Sequence, residues 1–160
     1  IVDRRQPPLP NNDPLANMAK ERLSSTPPPG AWAVIHCTKT DTYLLGKRSH
    51  AVNNGGAWNL FGGRVDRGEA PARALTRELA EEAGLRIKPK ALRRISTIRY
   101  RDADDRELHY FLLEVERELA PRLNREHSRY GWFKRRQLPS RFNLPTNVAI
   151  KHGLLKKGRS

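Results

Sequence analysis

Residues 63–85, G-R-V-D-R-G-E-A-P-A-R-A-L-T-R-E-L-A-E-E-A-G-L, limit what this chain can fold into more than any other stretch. They open on the Gly62-Gly63 pair, where backbone can turn sharply or lie close to a ligand. Pro71 suits the first turn of a helix, because its missing N–H has no partner to lose there. Good helix formers run almost unbroken from Ala70 to Ala83, and Gly84 stands where a left-handed residue ends a helix. The spacing predicts a loop, a helix over 70–83 and a stop. Ala72, Leu75, Leu79 and Ala83 recur at three- and four-residue steps and predict the buried face. Glu78, Glu81 and Glu82 stand at i, i+3 and i+4, so their carboxylates are expected on an adjoining face. Like charges at that spacing repel and weaken a helix. A hard divalent cation such as Mg²⁺ would relieve the repulsion by taking carboxylate oxygens as ligands.

An exposed helix with Arg77 and Glu81 paired at i, i+4 would account for the charges, but not for the residues around them. Gly63, Glu69, Arg77, Glu78, Leu79, Glu81, Glu82, Gly84 and Leu85 occupy every fixed position of the Nudix hydrolase signature, and the chain resembles that family. The resemblance implies an α/β chain with the Nudix fold, a mixed β-sheet sandwiched between α-helices. It implies that Glu78, Glu81 and Glu82 bind Mg²⁺ or Mn²⁺, with Glu78 able to double as a base. Gly63 would give its carbonyl to a metal, Arg77 would orient the glutamates, Glu69 would support the loop, and Gly84 would close the box. The implied reaction is attack of water on a phosphorus of a nucleoside diphosphate linked to another moiety, a step that metal ions assist. Relatives commonly enter the box through Pro-Gly-Gly; here the residues are Phe61-Gly62-Gly63, which keeps the catalytic glycine.

A chain of 160 residues fits one domain with an adequate core. Cys37 is the single cysteine, which excludes an internal disulfide and suits either a reducing, cytoplasmic setting or simple burial. No apolar run approaches the ~20 residues of a membrane span, and no signal peptide is expected. The start at Ile1 rather than Met fits a trimmed, processed or renumbered chain. Residues 1–29 hold seven of the twelve prolines and predict a flexible arm with one short helical turn around 15–23. An alternative role for that arm is packing on a second subunit, which leaves a homodimer open. Residues 30–160 are expected to form the Nudix domain.

Within that domain the patterns predict strands at 31–37, 42–47, 58–61, 91–101, 106–117 and 129–134, and a closing helix over 143–156. Asn143 is its expected N-cap, with Pro145 in the first turn. Glu126-His127 precedes the last predicted strand. From Glu126 to Trp132 the chain resembles a loop where some Nudix subfamilies place a glutamate as ligand or base. Nucleotide-sugar hydrolases can use a histidine there, and a solvated loop pair is the competing reading. Either side chain could take a proton near neutral pH. Asn147 resembles the asparagine that reads a purine edge in MutT-type 8-oxo-dGTP hydrolases, with ordinary polar chemistry at a helix start as the competitor. Arg48 and Trp58 join it as candidate substrate contacts. Trp58, like Trp32, Tyr43, Phe61 and Trp132, could stack a base or pack in the core. His36, His50, His109 and His152 lack zinc spacing, and His36 and His109 are expected to find local partners in strands.

The formal charge is +14 and the pI about 10.7. Residues 86–101 carry seven cations and no acid, and residues 134–160 carry eight and no acid. Such runs steer polyphosphate substrates, or contact the phosphates of a nucleic acid. Nucleoside triphosphates, oxidised ones included, and dinucleoside polyphosphates lead the expected substrates. Nucleotide sugars of the GDP-mannose kind, an RNA 5′ end or cap, and a catalytically silent module in a ribonucleoprotein are the alternatives.

Overall fold

The computed structural model describes residues 13–18, 27–101 and 105–156. Strand β1 (Gly30–Cys37) is the axis of a seven-stranded mixed sheet. It runs parallel to β6 (Arg106–Val115) along its whole length, from Gly30 opposite Leu108 to Cys37 opposite Val115. On its other edge it pairs antiparallel with β4 (Phe61–Arg64) over Gly30 to Ala33, and with β2 (Thr42–Arg48) only at His36 and Cys37. Strand β3 (Trp58–Asn59) and β7 (His127–Phe133) pair with β2, and β5 (Arg93–Tyr100) forms the expected hairpin with β6.

The alternation along β1 divides the core in two. Ala31, Ala33 and Ile35 face α1 (Pro71–Ala83), where Ala74, Leu75, Leu79 and Ala83 are buried. Trp32 and Val34 face the opposite layer, where α2 (Leu144–Lys151) contributes Val148 and Ala149. Each fully buried leucine on these faces contributes about 1.5–3 kcal/mol. The sheet therefore lies between helices, as the resemblance implied.

Helix α1 ends as expected. Gly84 is left-handed at φ 63°, its N–H donates to Ala80 O at 3.1 Å, and Leu85 N–H donates to Leu79 O at 3.0 Å. Beyond shifts of one or two residues at the ends of other strands, such as β6 stopping at Val115 rather than 117, four differences from expectation stand out. The stretch 58–61 is not one strand: it breaks at Leu60, whose N–H leaves the ladder to donate to the buried Thr146 Oγ1 at 2.9 Å. Strand β5 starts later than residue 91, because a 3₁₀ turn occupies Pro89–Ala91. The closing helix stops at Lys151 rather than 156, since Gly153 turns left-handed at φ 70° and Leu154 N–H folds back to Ala149 O. Finally, β7 begins at His127, two residues before the predicted start, so that residue belongs to the sheet. In the arm, residues 14–18 are helical, and the remainder of the expected turn at 19–23 lies outside the described residues.

Candidate active site

The site begins where β4 delivers the chain to the loop before α1. A Cβ on Gly62 would collide with the Ala31 carbonyl oxygen on neighbouring β1, so only glycine fits. After Arg64 the loop closes on itself: Glu69 N–H donates to Asp66 O at 3.0 Å, and Asp66 N–H donates to Glu69 Oε1 at 3.1 Å. Arg77 then ties three segments together. Its Nε and Nη2 donate to the two Glu69 oxygens at 3.1 and 2.9 Å, Nη2 also to Arg64 O at 3.0 Å, and Nη1 to Glu78 Oε1 at 2.9 Å. The planar guanidinium fork suits this bidentate grip. Hydrogen bonds from Arg77 hold the Glu69 carboxyl down at about 2, and Glu69 in turn raises Arg77. The i, i+4 contact from Arg77 to Glu81 spans 3.9 Å, longer than its contacts to Glu69 and Glu78.

The three box glutamates divide by depth. Glu81 is 60% exposed. Glu78 is largely covered and lies against Gly63, where a Cβ would stand 2.8 Å from its Cδ. Burial raises its carboxyl, opposed by Arg77. Glu82 is only 4% exposed, and Gly62 N–H donates to its Oε2 at 3.1 Å. Burial is the main cause that pushes Glu82 up to about 9, with Glu78 and Glu126 adding to the rise and the Gly62 hydrogen bond opposing it. In this geometry the helix turns Glu82 toward β4 and leaves Glu81 in solvent.

The loop before β7 is fastened at both ends. Arg122 and Asn124 N–H groups donate to the last carbonyls of α1, on Ala83 and Glu82, at 2.8 and 3.3 Å. Ser49 N–H donates to Glu126 O at 2.9 Å, and Ser49 Oγ to Arg125 O at 2.7 Å. These bonds bring Glu126 and His127 to Glu82. One carboxylate oxygen each of Glu82 and Glu126 and one imidazole nitrogen of His127 lie within 4.8 Å of one another. Glu126 is half-buried and His127 is 4% exposed, so the pair is not a solvated loop.

His127 is held in one tautomer. Asn59 Nδ2 donates to Leu60 O at 2.7 Å, so Asn59 Oδ1 is the acceptor facing His127 Nε2 at 3.2 Å. Nε2 therefore carries the proton, and the lone pair rests on Nδ1, which is buried without a hydrogen-bond partner among the described residues. Burial first and Arg48 second lower the imidazole to about 4, so it is neutral at pH 7. The ring also packs on Phe61, and Gly46 leaves room for both rings. A buried carboxyl, a second carboxylate and an unpartnered nitrogen form a donor set that suits a divalent cation. Asn59 was not foreseen from sequence; a polar residue inside a strand of apolar neighbours was its only signal.

The outlying candidates are placed as follows. Arg48 ends β2 opposite His127, and its Nε donates to Asn53 O at 2.7 Å. Trp58 is 8% exposed, packed edge-on against Phe133 and covered by Arg129, so its ring belongs to the core. Asn147 is exposed on α2 and lines a cavity of about 590 Å³ with Tyr100, Arg101, Lys151 and His152. The Asn143 side chain caps α2 as expected, accepting from Thr146 N–H. Thr146, beside Asn147, receives the Leu60 N–H, two residues before Gly62, so α2 is fastened to the box through β3 and β4. His36 finds Asp41 at 2.7 Å, and His109 finds Arg94 and Glu107, the local partners expected of them.

Comparison with known proteins agrees with this architecture. The family model for the NUDIX domain matches residues 26–155. The nucleoside triphosphatase NudI of Salmonella typhimurium is 37% identical over 130 residues, covering 72% of this chain and 87% of NudI. An octanoyltransferase of Myxococcus xanthus is 35% identical over 81 residues, 49% of this chain but 23% of that protein's length. The crystal structure of a MutT NUDIX hydrolase from Burkholderia pseudomallei superposes with a TM-score of 0.61 at 27% identity, over 78% of this chain and 96% of that one. With the signature complete in sequence and its residues assembled between sheet and helix, the chain belongs to the Nudix family of hydrolases.

Proposed function

We propose that this protein is a divalent-metal-dependent pyrophosphohydrolase of nucleoside triphosphates, oxidised ones included, or of dinucleoside polyphosphates. The observation that carries the reading is a carboxyl, Glu82, buried beside Glu126 and His127 where no apolar fold would place it. The name of NudI, a nucleoside triphosphatase, supports the triphosphate over the sugar. Glu78, Glu81 and Glu82 would hold Mg²⁺ or Mn²⁺, with the Gly63 carbonyl as a further donor. When bound, the cation supplies charge that neutralises the departing phosphate and acidifies water. Arg77 keeps Glu78 and the Glu69 loop in register, and Gly84 ends the helix so that the loop at 122–126 can reach Glu82. Glu126, half-buried beside Glu82, would serve as a metal ligand or take the proton of the attacking water. His127 is a poor base, because its one free lone pair is buried. Asn147, exposed in its cavity, is the candidate contact for the base edge, and Arg48 for a phosphate; Trp58 supports them from the core. A cytoplasmic setting fits the single buried Cys37. Among the described residues no helix is long and apolar enough to cross a membrane.

The test is a panel of nucleoside triphosphates, dinucleoside polyphosphates and nucleotide sugars, assayed with Mg²⁺ and with Mn²⁺. Cleavage of a pyrophosphate bond in the first two groups, lost with chelator, is expected. Preference for a nucleotide sugar would replace the reading. An RNA 5′ end is a second candidate, favoured by one observation. The two acid-free basic runs, far apart in sequence, meet at the Asn147 cavity through Arg101, Lys151 and His152.

A further inference from the structure

We infer that His127 gives its Nδ1 lone pair to a divalent cation shared with the Glu82 and Glu126 carboxylates, so that the site favours Mn²⁺ over Mg²⁺. This rests on the metal-dependent reading above and adds a nitrogen ligand from outside the box.

Two independent observations meet here. One carboxylate oxygen each of Glu82 and Glu126 and one ring nitrogen of His127 already lie within 4.8 Å of one another, although the residues come from the end of α1, a loop and the start of β7. The imidazole also has a buried nitrogen, Nδ1, that nothing among the described residues satisfies. A histidine serving only to fill space beside Phe61 and Gly46 would gain nothing from a stranded lone pair, since an apolar residue of similar volume would pack there without loss. Asn59 explains the arrangement. It fixes the proton on Nε2 through a 3.2 Å contact, and its own amide is anchored to Leu60 O, which leaves Nδ1 as the only acceptor. Ligating histidines are held in this way, with the second ring nitrogen donating to a fixed oxygen. Mg²⁺ strongly prefers oxygen and keeps its waters, whereas Mn²⁺ and later first-row ions accept imidazole nitrogen.

The experiment uses the full chain, stripped with chelator and loaded with Mn²⁺. Electron spin echo envelope modulation should show a directly bound ¹⁴N, and the modulation should change in protein grown with ¹⁵N-histidine. His127→Gln keeps a donor for Asn59 but has no imidazole nitrogen. It should erase the modulation and weaken Mn²⁺ binding by more than about tenfold, the scale on which even outer-shell partners act, while Mg²⁺ binding changes less. Bound Mn²⁺ with no nitrogen modulation in the unmodified protein would overturn the inference, whether or not the variant folds. Equal losses of Mn²⁺ and Mg²⁺ affinity in a folded His127→Gln protein would also overturn it. Glu82→Gln separates the two readings. If it abolishes Mn²⁺ binding while the nitrogen signal is absent from the unmodified protein, only the histidine ligand is wrong. If it leaves Mn²⁺ affinity unchanged, the metal site itself is misplaced, and this inference falls with it.

Discussion

Two clusters of charges along helix α1 share Glu78 but differ in how their members are partnered. On one side Arg77 grips Glu69 and Glu78 with four hydrogen bonds, counting that to Arg64 O, all between 2.9 and 3.1 Å. Each charge has a partner, and the Glu69 carboxyl is driven down to about 2. A few residues along, Glu82 is buried with one backbone donor and two other carboxylates for company, and is driven up to about 9. The first group stabilises the protein as it stands. The second costs stability in the metal-free protein, and only something bound there can recover it. Charges that satisfy one another are architecture; charges that do not are places for a ligand.

The largest effect should come from the unsatisfied group. Glu82→Gln keeps an oxygen for Gly62 N–H and removes the ionisable carboxyl that a cation would ligate. Activity with Mg²⁺ or Mn²⁺ should fall by well over about tenfold to a hundredfold, the range for residues that merely support a metal ligand. In chelator the same variant should melt no lower than the unmodified protein, and higher at alkaline pH. Millimolar Mn²⁺ should raise the melting temperature of the unmodified protein and not of the variant, because only a native state that binds gains from the ligand. Near-normal turnover by Glu82→Gln would erase the contrast.

The satisfied group should behave in the opposite way. Arg77→Lys cannot reproduce the fork to Glu69 and leaves Glu78 covered without its partner. We expect a loss of stability from the broken charged hydrogen bonds, read as a lower denaturant midpoint in chelator. The loss should be the same size with Mn²⁺ present if the clamp is architecture. A loss confined to the metal-loaded protein would move Arg77 into the site.

How much of this was legible beforehand follows the range of the interactions. The box was readable because its constraints are local: Pro71 and Gly84 bound the helix, and i, i+3, i+4 spacing sets which glutamates are neighbours. Depth was not readable. Nothing in the spacing says that Glu82 faces Gly62 while Glu81 faces water, since that depends on where β4 lies. The alignment of Glu82 with Glu126 depends on contacts made 40 or more residues apart, such as Asn124 N–H on Glu82 O. The same holds for Asn59 and His127, 68 positions apart. Strand ends were misread where a side chain took a backbone donor out of the ladder, as Thr146 does at Leu60.

A smaller effect, on pH, sharpens the contrast further. Glu82 has its native value raised from 4.5 to about 9, so its contribution is present below pH 4.5 and is lost as pH rises through about 9. Glu69 is lowered from 4.5 to about 2, so its contribution is present above 4.5 and is lost as pH falls toward 2. His127, lowered from 6.5 to about 4, loses its contribution as pH falls from 6.5 to 4. Melting curves in chelator should therefore fall off on both sides. Glu82→Gln should flatten most of the alkaline limb and leave the acidic one, and Glu69→Gln should remove part of the acidic limb, to which His127 also contributes. An alkaline limb as steep in Glu82→Gln as in the unmodified protein would assign it to another group, Glu78 being the next carboxyl that burial raises.

The smallest effect concerns the positive charge around the Asn147 cavity. Arg101 and Lys151 are exposed there, one from each basic run, and neither is part of the box. If they only steer a small polyphosphate, exchanging both for Ser should lower kcat/KM a few-fold at low salt and leave kcat unchanged. The difference should fade as ionic strength approaches about 0.1 M, where the screening length is about 10 Å. If they hold the phosphates of an RNA 5′ end, binding of a short single strand should fall linearly in log–log salt. Removing two contacts should then flatten the slope by about 1.4, at roughly 0.7 per phosphate neutralised. Steady-state kinetics on a nucleoside triphosphate and a salt titration of RNA binding, run on the same pair of proteins, distinguish the two. A steep RNA slope that the exchange flattens, with free-nucleotide kinetics unmoved, would make RNA the substrate. A salt-sensitive kcat/KM without RNA binding would assign the +14 charge to capturing small polyanions.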